Sequence, residues 1–252
     1  MKTRVRWPRA AMPTMAIVVG LLAACSTPST SPAGAGTRAA ASAGATSSAG
    51  AGYGTGACAP AGGAATPVLE FADAFADCLD PGKAYTATVT TSEGTVVVQL
   101  DTARTPIAAN NFVNLARSGY FDGTVLFRTE ARTGIVQGGS PHTQNNRDPG
   151  PGYTIPDEGL PFSTADYAPG VIAMANSGPD SGGGQFFFLS RAAGSYLGDP
   201  GAIGDSAGSY VVFGRTTEGL DVLQAISDLE SSPGSGAPIR PVTIESVTIA
   251  ES

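Results

Sequence analysis

Three consecutive phenylalanines at positions 186–188 constrain the fold of this chain more than any other feature. Successive side chains of a β-strand point to opposite faces of the sheet, so these rings need apolar cover on both sides. Taken alone, the triplet is typical of an ordinary core strand. Here Gly-Gln precedes it at 184–185, and Met-Ala-Asn-Ser-Gly-Pro lies upstream at 174–179. The segment predicts a strand of the protein interior next to a polar loop.

The first 24 residues are typical of a signal peptide rather than of a globular core. An apolar run at 15–24 follows a basic start and ends in small residues, and it is too short for a comfortable membrane span. The basic residues of the start are Lys2, Arg4, Arg6 and Arg9. A transmembrane anchor is the alternative interpretation.

Cys25 follows Leu-Ala-Ala at 22–24, a sequence that resembles a bacterial lipobox. In a lipobox the cysteine thiol receives a diacylglyceryl group, and cleavage before the cysteine frees its amine. Two or more acyl chains, such as palmitate, anchor a protein stably, since each buried methylene contributes about 0.8 kcal/mol. We therefore expect a lipidated Cys25 and a protein held on the extracytoplasmic face of the cell membrane. A secreted protein with an unmodified cysteine is the alternative.

Removal of residues 1–24 leaves 10 basic and 21 acidic residues, a formal net charge of −11. Such an acidic chain is a poor ligand for nucleic acid or for an anionic lipid surface. We expect no nucleic-acid partner, and contact with the membrane through the lipid alone.

Cys58 and Cys78 are the two other cysteines. On an exported chain an isolated pair most simply forms a disulfide, here closing a loop of about twenty residues. Two free buried thiols are the alternative. His142 is the only histidine and the chain has no Cys-x-x-Cys pair, so we expect no metal site.

Composition divides the mature chain into three parts. Residues 25–57 are almost entirely Ser, Thr, Ala, Gly and Pro without a hydrophobic period, which predicts a flexible tether. Residues 58–83, with cysteines near both ends, predict an N-terminal extension pinned by the disulfide. Residues 84–252 form the predicted domain.

The domain combines short strands with two helices. The β-rich runs 85–90 and 95–100 predict a hairpin, and the period-two pattern at 242–249 predicts a closing strand. Thr105 as N-cap before a proline starts a helix that ends at Gly119, and a second helix is predicted at 218–227. The pattern alone therefore predicts a β-rich domain with two helices.

Two further motifs flank the phenylalanine strand in sequence: Ile-Val-Gln-Gly-Gly at 135–139 and Tyr-Val-Val-Phe-Gly at 210–214. In this order the three motifs resemble the signature of cyclophilins, the peptidyl-prolyl cis-trans isomerases. The resemblance implies a mainly β fold over residues 84–252, a closed eight-stranded antiparallel barrel capped by two helices. It also implies a monomer without a cofactor, whose partners are proline-containing segments of exported proteins.

The resemblance further implies a substrate pocket. Phe187 matches the phenylalanine beneath the substrate proline, and Gln137 matches a glutamine that orients the catalytic arginine and contacts the peptide. The other matching positions are Ile135, Ala175, Asn176, Gln185, Tyr196, Leu197 and Tyr210. Tyr196 stands where the family has tryptophan, and Tyr210 where it commonly has histidine.

The family's arginine motif is altered in this sequence. Family members have Phe-His-Arg ten to eight residues before the glutamine, whereas residues 127–129 are Phe-Arg-Thr. Without a gap the arginine position falls on Thr129, and Arg128 would point to the opposite face of the strand. One inserted residue in the loop 130–134 would return Arg128 to register, and we name it as the catalytic candidate. Arg132, or no catalytic arginine at all, are the alternatives.

The sequence thus favours a lipid-anchored prolyl isomerase that assists the folding of exported proteins at the cell surface, with reduced activity if the altered motif weakens catalysis. The alternative is a cyclophilin-like module that binds proline-containing peptides without turnover. A solute-binding lipoprotein is a third interpretation, although the domain is short for two lobes.

Overall fold

The structure is a computed structural model that describes residues 52–252. In this range eight strands form one antiparallel sheet: β1 (Tyr85–Thr91), β2 (Gly94–Leu100), β3 (Arg128–Glu130), β4 (Ile135–Gly138), β5 (Val171–Met174), β6 (Phe186–Leu189), β7 (Val212–Glu218) and β8 (Ile244–Glu251). They lie in the order β3-β4-β6-β5-β7-β2-β1-β8. The predicted signal peptide, Cys25 and most of the predicted tether lie outside the described residues. Among the described residues, no helix is long and apolar enough to cross a membrane.

The sheet curls into an open half-barrel, so the predicted closure of the barrel is wrong. β3 and β8 are its two edges and share no ladder. The segments that precede them make one isolated bridge, between Val125 and Thr243. Closure of the barrel requires a continuous ladder of hydrogen bonds between the two edge strands, and β3 is only three residues long.

Three α-helices accompany the sheet in the described residues: α1 (Pro106–Arg117), α2 (Pro200–Ile203) and α3 (Leu220–Ser227). α1 packs against β7 and β8, whereas α3 packs against β2, β3 and β4. The two longer helices correspond to the two that the sequence predicts. The four-residue α2 has no periodic signal, since a single turn is too short to show one.

The start of α1 is as predicted, but its cap is different. Thr105 occupies the N-cap position, yet its hydroxyl lies 3.1 and 3.2 Å from the carbonyl oxygens of Asp101 and Val212 and caps no helical N–H. The carboxylate of Glu158, from a distant loop, accepts the N–H of Ala108 at 2.7 Å instead. Burial raises the pKa of Glu158, and the hydrogen bonds from the helix oppose that rise.

The phenylalanine strand has cover on both faces. Phe186 packs edge to face against Phe112 of α1, with ring centroids 5.5 Å apart. On the other face Phe187 meets Tyr210 edge to face, at 5.4 Å. The side-chain alternation of β6 therefore gives one face to the core and leaves Phe187 on the other.

Residues 52–83 form a strap that is bound to α1. The disulfide between Cys58 and Cys78 is present, as predicted. The buried side chains of Asn110 and Asn114 accept backbone N–H groups of the strap, at 3.0 and 2.9 Å. Buried amides on a helix are costly without partners, and the strap supplies those partners.

The hydrogen-bonded part of the strap begins before the predicted boundary at residue 58. Gly54 donates its N–H to the carbonyl of Phe75 at 3.1 Å, and Gly56 donates to Ala74 at 2.8 Å. The last residues assigned to the tether, 52–57, thus belong to the strap.

Candidate active site

The candidate site begins with the pairing of β3 and β4. In their register Arg128 lies directly opposite Gln137, and its Nη1 donates to Gln137 Oε1 at 3.0 Å. Gln137 Nε2 in turn donates to Gln185 Oε1 at 3.0 Å. One hydrogen-bond chain therefore joins three of the predicted site residues.

The structure separates the candidate positions for the arginine. Thr129 is 0% exposed, and strand alternation turns it away from the face that carries Arg128. Arg132 is exposed in the turn between β3 and β4 and does not line the site. In that turn Gly134 adopts a φ of 76°, a conformation that glycine adopts readily. Arg128 is therefore the arginine beside the predicted glutamine.

A pit of about 100 Å³ opens beside Arg128. Its lining residues are Arg128, Ile135, Gln137, Ala175, Asn176, Phe187, Tyr196, Leu197 and Tyr210. The predicted residues, except Gln185, thus surround one depression. Its aromatic and aliphatic walls with a guanidinium at the edge suit a small apolar ring attached to a polar, uncharged backbone.

A larger cleft of about 640 Å³ adjoins the pit, and Gln185 lies there. Four residues line both depressions: Arg128, Gln137, Ala175 and Asn176. The loop 148–151 and Tyr153 contribute a wall of the cleft. Because of the shared residues, pit and cleft form one continuous groove.

Sequence reasoning missed the second partner of the arginine. Glu130 Oε1 accepts from Arg128 Nε at 3.0 Å and also from Nη2. Glu130 Oε2 accepts from the hydroxyl of Thr133 at 2.7 Å. The signal that could have found Glu130 is its place two residues after Arg128, on the same face of the strand.

Burial and charge also affect the tyrosine of the pit. Burial raises the pKa of Tyr196, and the carboxylate of Glu130 raises it further, while Arg128 opposes the rise. Tyr196 therefore keeps its hydroxyl proton at neutral pH. On the other side of the pit, Asn176 Nδ2 donates to the carbonyl of Ser209 at 2.9 Å, which joins the segment 199–209 to the groove. Within residues 52–252, no group of three or more His, Cys, Asp or Glu side chains is placed to hold a metal ion.

The amino-acid sequence is similar to that of a known protein family and of several individual proteins. Residues 86–249 match the family described as cyclophilin type peptidyl-prolyl cis-trans isomerase/CLD. A peptidyl-prolyl cis-trans isomerase of Streptomyces antibioticus is 32% identical over 168 residues, which cover 65% of this chain and 98% of that protein. A peptidyl-prolyl cis-trans isomerase-like 2 of Cryptococcus neoformans is 35% identical over 171 residues, or 67% of this chain. The match spans only 28% of that longer relative.

Solved structures show the same fold. A cyclophilin type peptidyl-prolyl cis-trans isomerase of Cryptosporidium parvum superposes with a TM-score of 0.54 and 25% identity, covering 67% of this chain and 99% of that one. A second structure of that protein, determined in the presence of the dipeptide Ala-Pro, superposes with a TM-score of 0.53.

Proposed function

Because the chain belongs to the cyclophilin-type peptidyl-prolyl cis-trans isomerase family, we propose that it catalyses cis–trans isomerisation of X-Pro bonds in exported proteins. The observation that carries this proposal is the contact of Arg128 with Gln137 at the edge of the pit that contains Phe187. It supports a substrate arrangement in which the proline ring enters the pit and the preceding amide lies beside the guanidinium.

The chemistry needs no covalent step. Amide resonance opposes rotation about the C–N bond with a barrier of about 18–20 kcal/mol. As the bond twists, conjugation is lost and the nitrogen regains its lone pair, so a donor directed at it binds the twisted amide better than the planar one. An interaction that is stronger in the transition state than in the ground state accelerates the reaction. Arg128 would supply this donor, and Phe187 would hold the ring while the amide turns.

The test is exchange NMR on a short Ala-Pro peptide with the full chain. Uncatalysed exchange takes tens of seconds or longer, so we expect catalytic amounts of protein to shorten it by at least about tenfold. Peptide binding without faster exchange would favour the binding module over the enzyme. The absence of both peptide binding and faster exchange would overturn the proposal.

The proposal includes a place of action, the extracytoplasmic face of the membrane, because of the apolar run at 15–24 and the lipobox-like sequence before Cys25. We expect the mature chain from a bacterial host to begin at Cys25 and to carry the mass of at least two acyl chains. A Cys25→Ala variant should leave the membrane fraction. A mass spectrum of an unmodified mature chain would contradict the anchor without affecting the proposed activity.

A further inference from the structure

Arg128 is held from two sides, and one of its partners is a carboxylate. The side chains of residues 128 and 130 share a face of β3, which brings Glu130 Oε1 within 3.0 Å of Arg128 Nε and into contact with Nη2. On the other side Gln137 Oε1 accepts from Nη1 at 3.0 Å. We propose that Glu130 is a positioning residue that orients the guanidinium for isomerisation, an inference that rests on the proposed function.

The hydrogen-bond inventory supports this role. A guanidinium has five N–H bonds in a fixed plane. Glu130 and Gln137 take three of them, one on each nitrogen. One N–H on each terminal nitrogen is left for a bound peptide. The two partners thus fix the plane of the guanidinium without consuming the donors that the reaction needs.

Glu130 is itself fixed. Its second oxygen, Oε2, accepts from the hydroxyl of Thr133 at 2.7 Å, and Thr133 is 1% exposed in the turn after β3. The side chain of Arg128, by contrast, is 41% exposed. A long side chain that is so exposed populates several rotamers unless partners hold it. The buried threonine therefore anchors the carboxylate, and the carboxylate anchors the arginine.

The carboxylate has an opposing effect, since its negative charge weakens the guanidinium as an electrostatic donor. In a pair as exposed as this one, solvent screens the interaction between the two charges, so Glu130 weakens the guanidinium as a donor only slightly. Misplacement of a reacting group by 1 Å, in comparison, can reduce a rate by about 100-fold. We therefore expect orientation to outweigh the damping of the charge.

The test uses two substitutions with different chemistry. Glu130→Ala removes both acceptor oxygens, and we expect kcat/KM for the Ala-Pro peptide to fall about tenfold. The decrease should lie in kcat, while the affinity for the peptide should stay within about twofold of that of the parent. Glu130→Gln keeps a carbonyl that can accept from Arg128, so its kcat should stay within about threefold of the parent. Loss of activity in the glutamine variant equal to that in the alanine variant would overturn positioning by a hydrogen-bond acceptor.

A double-mutant cycle identifies the route of the effect. In an Arg128→Ala background, Glu130→Ala should cause no further loss, because the group that it positions is gone. A loss that persists in that background, or a change confined to KM, would show a general structural role and overturn the proposal. The matched control is Asp228→Ala, which breaks another exposed arginine pair, with Arg191, away from the groove. Its activity should be unchanged.

A spectroscopic measurement separates this proposal from the proposed function. We expect the Nε–H of Arg128 to give a resolved ¹⁵N NMR signal that exchanges slowly with water and is lost in Glu130→Ala. If the parent chain accelerates no exchange, the proposed function fails while this signal still reports whether Glu130 holds the arginine. An unchanged signal in Glu130→Ala would overturn the positioning role whatever the activity.

Discussion

Replacement of Arg128 with alanine should lower kcat/KM for the Ala-Pro peptide by about 100- to 1000-fold, while the peptide still binds. Removal of a preorganised donor from a developing charge costs about that much in enzymes where it has been measured. Here the donor is already oriented by Gln137 at 3.0 Å and by Glu130, so little reorganisation remains for the reaction step. Exchange NMR gives the rate, and the concentration dependence of peptide line shapes gives the affinity.

Three further variants make this result specific. Arg128→Lys should be nearly as inactive as the alanine variant, because an ammonium is a point charge that cannot contact Gln137, Glu130 and substrate in one plane. Arg132→Ala tests the other arginine that the sequence offers, and Arg191→Ala removes an arginine outside the groove; both should keep parent activity. Retention of more than about a tenth of the parent kcat/KM in Arg128→Ala would contradict the assignment of this residue.

The residues of the pit were predictable from the sequence, because they lie in motifs. Phe187 lies in the phenylalanine strand, and Gln137 directly precedes the Gly-Gly pair at 138–139. Their roles come from the resemblance to the cyclophilin family, which matches these positions one by one. Nine of the ten matched residues line one depression.

The register of the arginine was not predictable in the same way. Thr129 and Arg128 differ by one residue, and one residue of slip inverts every face of a strand. Only the pairing of β3 with β4 shows which residue lies opposite Gln137, and that pairing depends on a turn at 131–134 with no strong local signal. Glu130 was missed for the same reason, since its role depends on the face that Arg128 occupies.

Three features of the fold depend on contacts between segments that are distant in sequence. The edges of the sheet fail to close because of the length of β3, which the apolar pattern does not specify. The cap of α1 comes from Glu158, about fifty residues away. The path of the strap depends on Asn110 and Asn114, which the helical pattern marks only as polar positions on a largely buried helix.

The strap also has a mechanical relation to the groove. Phe71 and Phe75 pack edge to face against Tyr153, with ring centroids at 6.3 and 5.9 Å. The hydroxyl of Tyr153 donates to Asn111 Oδ1 at 2.6 Å, and Asn111 Nδ2 donates to the carbonyl of Gly183 at 2.8 Å. Tyr153 and Gly183 both line the larger cleft. A more mobile strap should therefore disturb the residues of the cleft before those of the pit.

Loss of the Cys58–Cys78 disulfide should destabilise the domain by about 3 kcal/mol, because the bond closes a loop with a sequence separation of 20 and restricts the unfolded chain accordingly. At about 2–4 °C per kcal/mol for a domain of this size, the thermal midpoint of a Cys58→Ser, Cys78→Ser variant should fall by about 6–12 °C. Calorimetry with and without reductant checks this.

Reductant should lower the midpoint of the parent to that of the variant and leave the variant unchanged, which separates the disulfide from the effects of serine itself. Since the strap supports the cleft through Tyr153 and leaves Arg128 and Gln137 untouched, peptide affinity should weaken in the folded variant at 25 °C while kcat changes little. A midpoint within about 2 °C of the parent would mean that α1 holds the strap through Asn110 and Asn114 alone, and that the disulfide contributes little to the fold.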